Sequence, residues 1–227
     1  MFELIQACTK CSLVKTKITN NLSDGICSDC TVRTVAIRRF ADANVPVEYW
    51  DLSMADFVGE PKLKAKFDEI IADLPGTYRK GMSLCFAGGH GIGKTMSVTN
   101  IIKTASLKGY TCLYSTLSDI VAVLLSRDAE DAYAARRELM SVDFLVIDEF
   151  DTRFMQSELA SDLFGRTLEN VFRTRSQNRL PTFLCTNSPN IIEAFTGPIK
   201  MSLESLMKGY VKNVIVVGDD FRKTIKK

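Results

Sequence analysis

Histidine is nearly missing from this chain: its 227 residues include one, His90. Counting alone therefore excludes a histidine-based catalytic triad and a multi-histidine metal site. Net charge is nearly missing too. The 29 basic and 27 acidic residues leave +2, which rules out a strongly basic, histone-like binder while leaving room for local basic patches. No uninterrupted apolar stretch approaches the roughly 18 residues that cross a bilayer, so no membrane partner is expected. The amino terminus, MFELIQACTKC, lacks the basic segment and long apolar run of a secretory leader. The expectation is a cytoplasmic protein, in a host's cytoplasm if the source is viral. There is no internal repeat and no low-complexity tract. What remains is ordinary for a folded chain: 46% hydrophobic and 25% charged residues, near the globular averages of about 45–50% and about 25%. The length exceeds one typical domain of ~100–200 residues only slightly. It suffices for one sizeable core plus a small appendage.

The seven cysteines are unevenly spread. Cys85, Cys112 and Cys185 each sit alone in an apolar run, as small buried side chains do. Cys8, Cys11, Cys27 and Cys30 form two C-x₂-C pairs separated by fifteen residues. Each pair puts two thiolates on one tight knuckle, and two knuckles close a tetrahedral sulfur shell around zinc. An odd total divided this way does not read as a secreted disulfide framework. A redox disulfide pair and an iron–sulfur cluster are the lesser alternatives, since no neighbouring feature favours them. The zinc would be structural, and so short a module, poor in apolar residues, would not fold without it. Lys10, Lys15 and Lys17 are solvated charge, a contact for single-stranded nucleic acid, or part of a protein-docking face.

The chain divides near residue 31: a zinc ribbon over 1–31, a helix and connector over 32–60, and an α/β core over 61–227. In the connector region Val32, Val35, Ala36, Phe40 and Ala43 recur at helical spacing, and this helix should stop before Pro46. A second helix is expected from Pro61 to Asp73, ending at Pro75-Gly76. Five short apolar runs then read as strands buried on both faces: 82–87, 111–116, 143–148, 181–186 and 213–217. Helical segments separate them, so right-handed crossovers give a five-stranded, mostly parallel sheet covered by helices.

The strongest motif is Gly88-Gly89-His90-Gly91-Ile92-Gly93-Lys94-Thr95. It matches the phosphate-binding loop, Gly, four residues, then Gly-Lys-Thr, with a strand before it and a helix, opening through Met96, after it. Glycines let backbone N–H groups converge on phosphate oxygens, Lys94 adds a mobile cation, and Thr95 offers its hydroxyl to Mg²⁺. His90 holds a variable position in the loop, and an incidental role fits it as well as a catalytic one. In Phe144-Leu145-Val146-Ile147-Asp148-Glu149 an apolar strand ends in two carboxylates. Asp148 suits the magnesium shell and Glu149 the activation of water. Asn187, at the end of the 181–186 strand, either orients that water and senses the γ-phosphate or, with Ser188-Pro189, merely makes a turn; beside the other two motifs the sensor role is favoured.

GGHGIGKT, FLVIDE and PTFLCTN, in this order and spacing, resemble an AAA+ ATPase. Within that group the chain is most similar to the DnaC-type helicase loaders and the IstB-type transposition ATPases, over residues ~45–222. KGYTCLYSTLSDIV and the ending VGDDFRK add to the likeness. The resemblance implies a P-loop core without the large helical lid of other AAA+ proteins, and only ten residues follow the last predicted strand. It implies that Lys94 and Thr95 contact ATP, that Asp148 and Glu149 are the magnesium and water residues, and that Asn187 is the sensor. It also implies a replicative helicase as partner, with single-stranded DNA and ATP-dependent self-assembly. The amino-terminal ribbon departs from the better-known loaders, which carry a helical domain there, and so weakens the transfer of the partner.

Two alternatives stand beside a helicase loader: a transposition ATPase marking target DNA, and a nucleotide-gated binding module that does not hydrolyse ATP. AAA+ enzymes generally complete the site with an arginine from a neighbouring subunit, which in the loader family lies between the sensor strand and the last strand. The span from Ser188 to Asn213 contains no arginine. Lys208 supplies charge without the planar fork of donors; otherwise an arginine from elsewhere reaches across, with Arg173 and Arg175 first in line, which fall with Arg166 and Arg179 on one predicted helix and its exit. Arg166 and Arg173, seven apart and opposite Phe164, Leu168, Val171 and Phe172, belong to its exposed face.

Overall fold

Alternation along three strands decides how this molecule packs. In β3 (Ser83–Gly88), β5 (Phe144–Asp148) and β6 (Thr182–Thr186) nearly every residue is buried, but successive side chains serve opposite layers. Leu84, Phe86, Phe144, Val146, Phe183 and Cys185 join one apolar cluster. Cys85, Leu145, Ile147 and Leu184 join the other. The computed structural model describes residues 5–7, 14–16, 28–124, 126, 128–150, 158–188, 197–218 and 220–221, with backbone alone at 5–7, 14–16, 28–31, 158–164 and 197–199.

These strands lie with β4 (Cys112–Thr116) and β7 (Val211–Val216) in a five-stranded sheet of order β4-β5-β6-β3-β7, parallel at every described pairing. The expected sheet is therefore present. One face is covered by α1 (Ser28–Asp42), α2 (Pro61–Ala72) and α4 (Lys94–Leu107), which supply Phe40, Phe67 and Ile101 to the first cluster. The rings of Phe67 and Phe86 stack at 4.4 Å between α2 and the sheet. The other face is covered by α5 (Leu117–Leu124), α6 (Ala129–Ser141), α7 (Glu158–Gln177) and α8 (Gly197–Tyr210).

The sequence reading erred at Pro75-Gly76. These residues do not stop a helix; they lie in the first turn of α3 (Leu74–Lys80), which follows α2 after Asp73 alone. Proline is tolerated there because the first-turn N–H has no intrahelical acceptor. The Asp73 side chain accepts from Gly76 N–H at 3.0 Å, and the true stop is Gly81 at φ +60°. The connector between α1 and α2 contains a 3₁₀ turn at Val47–Tyr49 and is tied to the edge of the sheet. Tyr114 N–H donates to Ala43 O at 2.9 Å, and Asn44 Nδ2 to Tyr114 O at 2.9 Å.

Near the amino terminus β1 (Ile5–Ala7) and β2 (Val14–Thr16) pair antiparallel, Ala7 opposite Val14. The segments that flank Cys8 and Cys11 thus run side by side. Cys30 falls in the first turn of α1. The side chains of Cys8, Cys11, Cys27 and Cys30 lie outside the described residues. Among the described residues no helix is long and apolar enough to cross a membrane.

Candidate nucleotide site

The strand order places the three sequence motifs beside one another. Parallel strands open their carboxyl ends on one edge, where α/β sheets bind ligands. There β6 lies between β3 and β5, so Asn187 emerges between the loop after β3 and the carboxylates after β5. A cavity of about 460 Å³ at this edge is lined by the loop residues His90 to Met96, by Asp148, Glu149 and Asn187, and by Cys185.

Glycine is required in the loop for two reasons. Gly91 and Gly93 adopt φ of +73° and +94°, a region that side chains with a Cβ rarely enter. They are also crowded. A Cβ on Gly91 would lie 1.7 Å from an Asp220 carboxylate oxygen, and one on Gly93 would lie 2.5 Å from the Phe57 ring. The loop is thus held between the connector and the segment after β7, where Phe221 N–H donates to Gly91 O at 3.2 Å. Gly93 caps α4 without any side-chain hydrogen bond, which leaves the first N–H groups of the helix to an anion.

Lys94 is 8% exposed. Its ammonium donates to Gly88 O at 2.8 Å, Gly89 O at 2.6 Å and Asn187 Oδ1 at 2.9 Å. These partners are neutral, so a polyphosphate would compete well for the charge. Asp148, 4% exposed, accepts from Tyr114 O–H at 2.9 Å and from Glu149 N–H at 2.7 Å. Burial, and then the adjacent Asp148 charge, push the Tyr114 phenol far above its usual range, so it stays a donor. Glu149 is exposed on the cavity with φ +47°, a backbone strain of about 1–3 kcal/mol. Its neighbours impose it. Asp148 is anchored by Tyr114, and the fully buried Phe150 donates its N–H to Cys185 O at 2.8 Å.

The ATPase family associated with various cellular activities, AAA, matches residues 84–216, more than half of the chain. The chain belongs to the AAA family. No curated protein matches it. Among solved structures it is similar to DnaI, with TM-score 0.61 and 17% identity over 81% of this chain and 98% of that one. It is similar to the DnaC helicase loader, with TM-score 0.57 and 13% identity over 77% and 100%. The replication initiator DnaA bound to AMPPCP and single-stranded DNA gives TM-score 0.58 and 18% identity over 76% of this chain and 51% of that one. At such identities these likenesses show the fold.

In this AAA chain the structure overturns one candidate for a trans-acting arginine. Arg175 is fully buried. It donates to Leu139 O, Val142 O, Pro181 O and Thr182 Oγ1 at 2.7–2.9 Å. Helix α7 turns this position inward with Leu168, Val171 and Phe172, and the guanidinium caps the carboxyl end of α6. Burial draws its pKa down to about 10, still charged at neutral pH. Arg166 and Arg173 are exposed as expected, with Arg173 paired to Glu169 at 2.6 Å. Lys208 is exposed and paired to Glu204 at 2.8 Å.

Two parts of the site went unnoticed in the sequence. Tyr114 was read only as part of a strand, yet its hydroxyl holds Asp148. Tyr49, Leu52 and Val58 of the connector line the cavity, and Lys103 on α4 holds the backbone of the first two. A signal existed for Lys103. It lies among Val98, Ile101, Ile102 and Ala105 on a helix buried almost all round, where a lysine must find acceptors.

Proposed function

We propose that the chain binds Mg–ATP in this cavity and hydrolyses it, and that the cycle serves to deliver or remodel a replicative helicase on DNA. The observation that carries the chemistry is the Lys94 ammonium resting on its own loop and on Asn187, in the same cavity as Asp148 and Glu149. Bound Mg–ATP would supply the phosphoryl group and the neutralising divalent charge. Lys94 would exchange its carbonyl partners for phosphate oxygens, and the first N–H groups of α4 would donate to the same anion. Thr95 and Asp148 would hold the metal, with Tyr114 fixing the Asp148 carboxylate. Glu149 would accept the proton of the attacking water, and Asn187 would orient that water. The helicase and single-stranded DNA assignments rest on the motif resemblance and on the fold shared with a helicase loader and with an initiator bound to such DNA.

An arginine supplied across subunits is worth about 10³–10⁵ in related chemistry. With Arg175 buried, Lys208 or another arginine, Arg173 first in line, would reach across from a neighbouring subunit, so the site is incomplete in one chain. Turnover is therefore slow in isolation and rises with protein concentration and single-stranded DNA. Fast turnover independent of both contradicts the shared site. ATP binding with no turnover under any condition means a nucleotide gate, and retention of a transposase rather than a hexameric helicase in affinity capture means the transposition reading. The four cysteines are proposed to hold one structural zinc, the chemistry of their donor set being that of a closed tetrahedral site. Metal analysis is expected to give zinc in the parent and not in Cys27→Ser; iron with sulfide, or no metal, contradicts it.

A further inference from the structure

The lining of the cavity is of two chemical kinds. Its carboxylates and amide, Asp148, Glu149 and Asn187, gather where the phosphate-loop lysine lies. The connector supplies the other wall, half-buried Tyr49 with Leu52 and Val58, which are 36% and 45% exposed. Exposed aliphatic groups and an aromatic ring lining the same cavity as the polar groups suit a planar apolar group covering them. In a nucleoside triphosphate that group is the base.

Regular secondary structure does little to fix that wall. Beyond the 3₁₀ turn at Val47–Tyr49 the segment has no ladder of its own. Tyr49, Trp50, Met54 and Phe57 pack against the core, and from beneath one side chain gathers its carbonyls. Lys103, 5% exposed on α4, donates its ammonium to Tyr49 O at 2.5 Å, to Trp50 O at 3.4 Å and to Leu52 O. Its charge also lies 5.7 Å from the centre of the Phe40 ring, within cation–π range. It makes no ion pair among the described residues. Asp51 and Asp56 act on it only at a distance, and burial draws its pKa below the usual lysine value. A buried ammonium without a carboxylate is costly, and here two of its three acceptors are main-chain carbonyls of Tyr49 and Leu52, which line the cavity. Lys103 and Lys94 share one helix, so the clasp on the connector is rigidly referenced to the phosphate loop.

We propose that Lys103 is a positioning residue that sets the base-binding wall of the nucleotide site and so governs affinity for the nucleoside part of the ligand, not for its phosphates. This rests on the ATP reading above. A merely structural strap would affect stability, or weaken all ligands together; a positioning role separates them.

The test is equilibrium binding of Mg–ATP and of Mg–tripolyphosphate, followed by calorimetry, to the full chain. Lys103→Met should weaken ATP at least about tenfold while tripolyphosphate stays within about twofold of the parent. Lys103→Arg, which keeps a cation on the carbonyls, should recover much of the loss. Should Lys103→Met fail to fold, the double change Tyr49→Ala with Leu52→Ala removes the wall itself and must show the same split. ATP affinity unchanged, or both ligands weakened equally, in the folded variant overturns the proposal. The ATP reading fails separately: in that case the parent binds neither ligand, or Lys94→Ala binds both as the parent does.

Discussion

The two ends of β6 each meet a buried cation, and the two cations do opposite work. At the amino end Arg175 reaches Pro181 O, Thr182 Oγ1 and the last carbonyls of α6. At the carboxyl end Lys94 reaches Asn187 Oδ1 and two carbonyls of its own loop. Both are almost inaccessible, at 0% and 8% exposure. They differ in what surrounds the acceptors. Those around Arg175 belong to packed helix and strand ends, and the cavity next to them is lined by Met140, Ser141, Thr174, Asn178 and Leu180 rather than by Arg175 or its acceptors. Those around Lys94 border the cavity, and an incoming anion would outbid neutral carbonyls for the charge. Burial alone therefore does not tell a staple from a switch; the replaceability of the partners does.

Crossed substitutions break or sharpen this contrast. The largest effect belongs to Arg175→Ala, which leaves buried carbonyls without donors and should lower unfolding stability by on the order of 3–5 kcal/mol. The surviving folded fraction should bind ATP as the parent does. Denaturant unfolding, with ATP titration below the transition, reads both quantities. The smaller effect belongs to Asn187→Ala at the other end, expected to reduce turnover about tenfold, near the value of one hydrogen bond in the transition state, with the unfolding midpoint little moved. If Arg175→Ala spoils turnover without loss of stability, or Asn187→Ala unfolds the chain, the assignment of the two ends is reversed.

What was legible in the sequence follows the same division. β3, β5 and β6 were readable because burial on both faces leaves continuous apolar runs; the edge strand β7 was expected to be buried likewise, but its Lys212, Asn213 and Ile215 are exposed. The phosphate loop and the Asp148-Glu149 pair were readable because their chemistry lies in adjacent residues. Arg175 was misread because a charge on an amphipathic helix ordinarily marks the wet face, and its acceptors come from α6 and β6, far away in sequence. Tyr114 was invisible for the same reason, and for Lys103 the apolar neighbours signalled burial but not which acceptors it holds: the groups both side chains hold belong to other segments. Pro75-Gly76 was ambiguous locally, since proline begins a helix as readily as it follows one, and the Asp73 cap decided it.

The central claim is that this cavity hydrolyses ATP with Glu149 as the group that takes the proton from water. Its most direct test compares Glu149→Gln with the parent in two assays on one preparation, equilibrium Mg–ATP binding and steady-state phosphate release. Binding should be unchanged, because the amide fills the same space, while release should fall about 10²–10⁴-fold, the usual worth of a general base. Phosphate release at the parental rate would contradict the account.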